Sequence, residues 1–229
     1  MEAANNATIK REFGKSDDVL APLAQLPYVV DAGMRGGIYE GPVCALYCPF
    51  ANWSDCLANW RKSHRLITEG TAFVKFNNPN AFGLTAGDRE TPVMILDVEL
   101  GIVHWEDCPT SVTNKWHRER VDYGDGYGHG VSPEEEAWRQ SAEAWTIPDF
   151  FEVLKNEFRS LTWMPLDPCN MWEAGWPEGT GEEGIASALR DVYRQHGWPD
   201  LSVYNKKECM EAIRNMLKER YPAHAEREW

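Results

Sequence analysis

The residues best equipped for chemistry gather in the middle of the chain. His104, Glu106 and Asp107 follow an apolar run, and His117 and His129 come in the polar stretch after it. Two or three imidazoles and a carboxylate converging on one point would make a metal centre or an acid–base pair. No diagnostic spacing accompanies them, such as two histidines one helical turn apart beside a glutamate. With His104 alternating in a strand and the others on a solvated loop, no metal and no cofactor are expected. His104, Asp107 and His117 stand as the alternative acid–base or metal candidates.

The stretch Tyr123-Gly124-Asp125-Gly126-Tyr127-Gly128-His129-Gly130 is the most unusual one in the chain. Glycine hinges would let it close over a ligand, and its backbone N–H groups could cradle an anion. It lacks the lysine of a phosphate loop and the spacing of a dinucleotide-binding turn. The competing reading is a turn whose tyrosines pack on Trp116 or Trp105. Nucleophilic catalysis has little support, because no G-x-S-x-G occurs. Among the cysteines, Cys209 alone has cationic neighbours, Lys206 and Lys207, and on a helix it is expected to pack inward. Cys44, Cys48 and Cys56 have no second pair at zinc-knuckle distance and read as buried apolar thiols.

Composition narrows the partners. The chain has 229 residues, 23 Lys+Arg against 36 Asp+Glu, and a formal charge of −13. Such an excess of acid argues against nucleic acid and against an anionic membrane surface. No apolar run is long enough for a secretory signal or a bilayer span, so a cytoplasmic or nuclear protein that is not secreted is expected. Against this polar background stand 11 tryptophans. Trp53, Trp60, Trp138, Trp145 and Trp163 fall in or beside periodic apolar stripes and are expected in the core. Trp116, Trp172, Trp176 and Trp198 fall in polar loops, where tryptophan serves as an interaction anchor.

The elements that must position these residues can be read from spacing. Residues 1–26 read as a polar N-terminal arm with a short helix, residues 27–164 as an α+β core domain, residues 165–184 as an irregular Trp/Gly/Pro-rich segment, and residues 185–229 as a C-terminal helical pair. Ser54 is expected to cap a helix running to Gly70, and residues 71–76 read as a strand. The clearest β signal is TPVMILDVELGIVHWED over residues 91–107, a hairpin with Gly101 in its loop. Ser132-Pro133 followed by three glutamates opens a helix with Trp138 and Trp145 as its apolar contacts. Pro148 opens another, with Phe150, Phe151, Leu154, Phe158 and Leu161 in a stripe. Two more helices follow, one ending at Gly197 and one capped by Asn205 with Glu208. The fold class expected is α+β: a mixed or antiparallel sheet with a central hairpin, packed by helices, plus the C-terminal pair.

The hairpin followed by IPDFFEVLKNEF resembles the C-terminal half of the SUKH superfamily, which includes fungal cell-wall-regulator homologues and bacterial toxin-immunity proteins. The resemblance covers residues 91–161, about a third of the chain. It implies an α+β fold and a protein-binding role without catalysis. The expectation is therefore a binding or regulatory module that engages a protein through loops 108–131 and 165–184, using Trp105, Trp116, Tyr123, Asp125, Tyr127, His129, Trp172 and Trp176. The alternative is a small-molecule enzyme or ligand-binding protein with a pocket under the loop 121–131.

Overall fold

The hairpin at residues 91–107 forms the middle of the largest sheet. In the computed structural model, which describes residues 13–28, 42–45, 48–59, 63–70, 78–87, 91–116, 120–121 and 132–225, strand β4 (Met94–Asp97) pairs antiparallel with β5 (Ile102–Trp105). Asp97 builds the turn: its Oδ1 accepts the N–H groups of Glu99 and Leu100, both at 3.0 Å. Gly101 completes it at φ +68°, a left-handed conformation that glycine adopts without strain. Strands β3 (Ala81–Gly83) and β6 (Glu143–Thr146) flank the hairpin, giving the order β3-β4-β5-β6 with every pairing antiparallel. All four residues of β5 are buried, so both faces of the sheet are covered there.

The described residues hold eight α-helices and three antiparallel sheets of two, four and two strands, an α+β architecture. The chain forms two compact units, Met1–Val153 and Leu154–Trp229. In the first, α1 (Asp17–Leu23) starts at Ser16 with Asp17 and Asp18 on the positive end of its dipole. The short helix expected in the N-terminal arm is present, and Phe13, Val19 and Leu23 are buried in a core cluster with Trp53 and Phe82. Strands β1 (Val43–Ala45) and β2 (Cys48–Pro49) make a short ribbon. Two helices follow, α2 (Trp53–Ala58) and α3 (Ser63–Glu69). The cap of α2 is Asn52, whose side chain accepts the Asp55 N–H at 3.2 Å, and the helix ends at Ala58. Ser54 thus sits inside the first turn, because the cap falls two residues earlier, where the Asn52 amide oxygen takes the Asp55 N–H.

Helix α4 (Thr110–Lys115) occupies the start of what composition marks as a loop. Helix α5 (Pro133–Ser141) begins as the sequence predicts, with Ser132 Oγ accepting the Glu135 N–H at 3.2 Å and Pro133 in the first turn. Trp145 does not belong to it. Ala142 leaves the helix in extended conformation, and Trp145 lies in β6 opposite Val103. Helix α6 (Ile147–Arg159) carries the boundary between the units.

In the second unit, β7 (Trp163–Pro165) pairs with β8 (Met171–Glu173), and helices α7 (Ile185–Gln195) and α8 (Lys206–Arg220) share one core with them. The irregular segment is structural here. Glu178 accepts the N–H groups of Gly184 at 2.7 Å and Ala186 at 3.3 Å, supplying the cap that glycine at the start of α7 lacks. The strand expected over 71–76 lies outside the described residues. No helix among the described residues is long and apolar enough to cross a membrane.

Candidate functional site

The first unit contains an open apolar cleft of about 440 Å³. Its floor follows from strand alternation. Phe82 and Leu84 stand two residues apart and share a face, and Leu96 is the register partner of Phe82 on β4. Trp53 closes one side. Its indole N–H donates to the Gly83 carbonyl at 2.9 Å, its ring meets Phe82 edge-on at 5.9 Å, and Phe13 stacks on it at 5.0 Å. A fully buried indole tied to backbone at one end and stacked along its length is a rigid wall.

The opposite wall comes from the segment after α1. Tyr28 donates its hydroxyl to the Leu23 carbonyl at 2.6 Å, which fixes the ring. Burial pushes the phenol above its ordinary pKa, with the nearby Cys56 adding to the effect, so Tyr28 stays neutral. Cys44 also lines the cleft and donates its thiol to the Cys48 carbonyl at 3.3 Å. Burial, and Cys48 beside it, push that thiol well above its ordinary value. At the lip stand Leu26, 51% exposed, and Phe50, 37% exposed, with Phe50 set edge-on to Phe151 at 6.1 Å. The apolar lining therefore continues onto the surface.

Beneath the sheet runs a chain of buried charges. Lys15 pairs with Glu69 at 2.8 Å, and Arg65 reaches the other Glu69 oxygen at 2.9 Å. Lys15 also approaches the Asn78 carbonyl at 3.4 Å, and Asn78 donates its side-chain amide to Asp97 at 2.9 Å. Arg139 links Asp97 at 3.4 Å to Glu135 at 2.7 Å. Burial lifts the Asp97 carboxyl above its ordinary value, against the turn N–H bonds and Arg139, which pull it down. The network ties the N-terminal segment, α3, the turn before β3, β4 and α5 into one frame behind the cleft floor.

The residues expected to carry function scatter. His104 lies on β5, is fully buried and packs its ring on Trp138 at 5.2 Å. Burial, then the charge of Arg139, holds it down to about 3, so it is a neutral interior imidazole. Asp107 stands exposed on the turn after β5 at φ +54°. His117, Tyr123, Asp125, Tyr127 and His129 lie outside the described residues.

The tryptophans divide differently from the expectation. Trp105 is fully buried, between Trp145 at 6.4 Å and Phe150 at 6.3 Å. Trp172 is not in a loop but in β8, buried in the second core with the His224 ring edge-on at 5.3 Å. Its short strand pairs with β7, which is what draws it inward. Trp116 is half-buried at the end of α4, and its carbonyl accepts the Trp145 indole N–H at 3.3 Å. Trp176 alone of these four is largely exposed, at 61%.

Sequence reasoning missed the cleft because its residues read as ordinary core. The available signal was the period-two placement of Phe82 and Leu84 around Gly83. It also missed the buried ions, whose signal was the i, i+4 spacing of Arg65 with Glu69 and Glu135 with Arg139. Comparison with known proteins finds no family model, no curated protein and no solved structure that matches the chain.

Proposed function

We propose that the chain is a non-catalytic protein-binding module, and that its recognition surface is the apolar cleft of the first unit. The observation that carries this is the continuity of the cleft lining with exposed Leu26 and Phe50. A pocket built for a small ligand encloses most of it. A pocket whose lip is itself apolar and exposed has the anatomy of an interface centre, where an anchor side chain enters and its surroundings exclude water. The hairpin followed by an aromatic helix, on which the resemblance to the SUKH superfamily rests, implies the same class of role. Neutral His104 and the raised Cys44 thiol give no support to acid–base or thiolate chemistry at those two positions.

Panning a displayed random-peptide library on the full chain tests the reading. Peptides with a bulky apolar residue should be enriched, and Phe50→Asp should abolish their capture while circular dichroism shows the chain still folded. If no peptide is enriched while a hydrophobic dye is displaced from the cleft by small apolar molecules, the cleft serves a small-molecule ligand instead. Its volume suits one, within the range of about 300–1,000 Å³ typical of ligand pockets. For the second unit, the turn after β8 contributes one exposed anchor, Trp176, and Trp176→Ala should weaken partner capture independently of Phe50→Asp.

A further inference from the structure

We infer that the segment seated in the cleft carries a cationic group next to its apolar anchor: a bulky apolar residue of a protein partner adjacent to lysine or arginine. This rests on the cleft being a protein-binding site and adds the chemistry of what must stand beside the anchor.

A second basin, of about 410 Å³, adjoins the first. Leu26 and Tyr28 line both, so an occupant leaving the cleft over that wall enters the basin. There the lining changes character, to Asn52, Ser54 and Asp55 on the first turn of α2. The groups on this turn are sorted by the local hydrogen bonds. Asn52 spends its carbonyl oxygen on the Asp55 N–H at 3.2 Å. Asp55 accepts the Asn59 amide through Oδ1 at 2.9 Å. A carboxylate accepts about four donors in all, so Asp55 retains capacity for an incoming one.

The electrostatics select the sign of that donor. An anion would meet Asp55 as a like charge, whereas a cation meets its carboxylate beside Tyr28, whose hydroxyl is already committed to Leu23. The net charge of −13 favours approach of a cationic partner over an anionic one. The adjacency of an apolar cleft and an acidic basin across one shared wall thus specifies a two-part ligand.

Fluorescence anisotropy with three labelled peptides tests this on the full chain. The peptides share one tryptophan anchor and differ at the next residue, which is arginine, alanine or glutamate. The arginine peptide should bind about two- to fivefold more tightly than the alanine peptide, as exposed ion pairs allow, and the glutamate peptide more weakly than either. The arginine advantage should shrink in about 0.5 M salt and vanish in Asp55→Asn. Ser54→Lys, at an exposed position on the same basin, should reverse it. If Phe50→Asp abolishes binding of all three peptides yet they bind equally to the unaltered chain, the cleft is a binding site and the cationic neighbour is wrong. Failure of every peptide to bind overturns both.

Discussion

Lys15 Nζ lies 2.8 Å from Glu69 Oε1, and each side chain is 1% exposed. The pair joins the segment before α1 to the last turn of α3, and Arg65 adds a second cation on the same carboxylate at 2.9 Å. Burial pulls the Lys15 ammonium below its ordinary pKa, while Glu69 opposes that shift, so the lysine depends on its partner to remain charged. Removing one member of such a pair leaves an uncompensated buried charge.

Glu69→Gln should therefore destabilise the protein by about 3–5 kcal/mol. The double variant Lys15→Met/Glu69→Gln should recover part of that loss, because the stranded ammonium is gone. Urea denaturation of the two single variants and the double checks it. Additive losses would mean that the ions do not depend on each other.

Gly83 marks a close approach of backbones. A Cβ on this residue would stand 2.0 Å from the Thr68 carbonyl oxygen and 2.5 Å from its carbon. Those are main-chain atoms of α3, which cannot swing aside. Gly83→Ala should cost about 1–3 kcal/mol, toward the upper end. It should also disturb the cleft, since the Gly83 carbonyl holds Trp53. Gly101→Ala meets open space and pays only for its positive φ, on the order of 1 kcal/mol. Equal midpoints for the two alanine variants would contradict the close approach.

The elements legible in the sequence are those whose signals are local. The 91–107 hairpin, the Ser132 cap and the Asn205 cap each depend on a few adjacent residues, and each stands where spacing places it. What was illegible depends on pairing between distant segments. Trp172 reads as a loop residue until β8 finds β7, and Trp145 reads as a helix contact until β6 finds β5. The cleft has the same cause, since Trp53, Phe82 and Leu96 meet only after β3 and β4 pair and Trp53 reaches the Gly83 carbonyl. Composition cannot show which apolar residues a fold leaves partly uncovered.

The thiols offer a direct check of the interior. Cys48, Cys56 and Cys209 are fully buried, and burial pushes the Cys56 and Cys209 thiols upward. Cys108 and Cys169 are half-buried. Reaction with an aromatic disulfide reagent at neutral pH should label Cys108 and Cys169 first, because the reactive species is the exposed thiolate. Cys48, Cys56 and Cys209 should react only after unfolding in guanidinium. Mass mapping of partially labelled protein reads the order directly, and early labelling of Cys56 would contradict the packing around Trp53.

His104 makes the pH dependence of stability predictable. Its folded value is held down to about 3, first by burial and then by Arg139, against an ordinary 6.5. Between those values the unfolded chain binds the proton and the folded chain does not. Stability is thus fully present above pH 6.5 and is lost as pH falls toward 3, by up to about 1.4 kcal/mol per pH unit. Asp97 works in the opposite sense, because burial raises its folded value and the folded chain takes up that proton more readily as pH falls. Comparison with His104→Leu isolates the histidine, since the Asp97 contribution is common to both. The stability of the unaltered protein relative to the variant should fall steadily from roughly pH 6.5 to 4.5 in urea titrations. A difference that stays constant across that range would show that the buried imidazole does not couple protonation to unfolding.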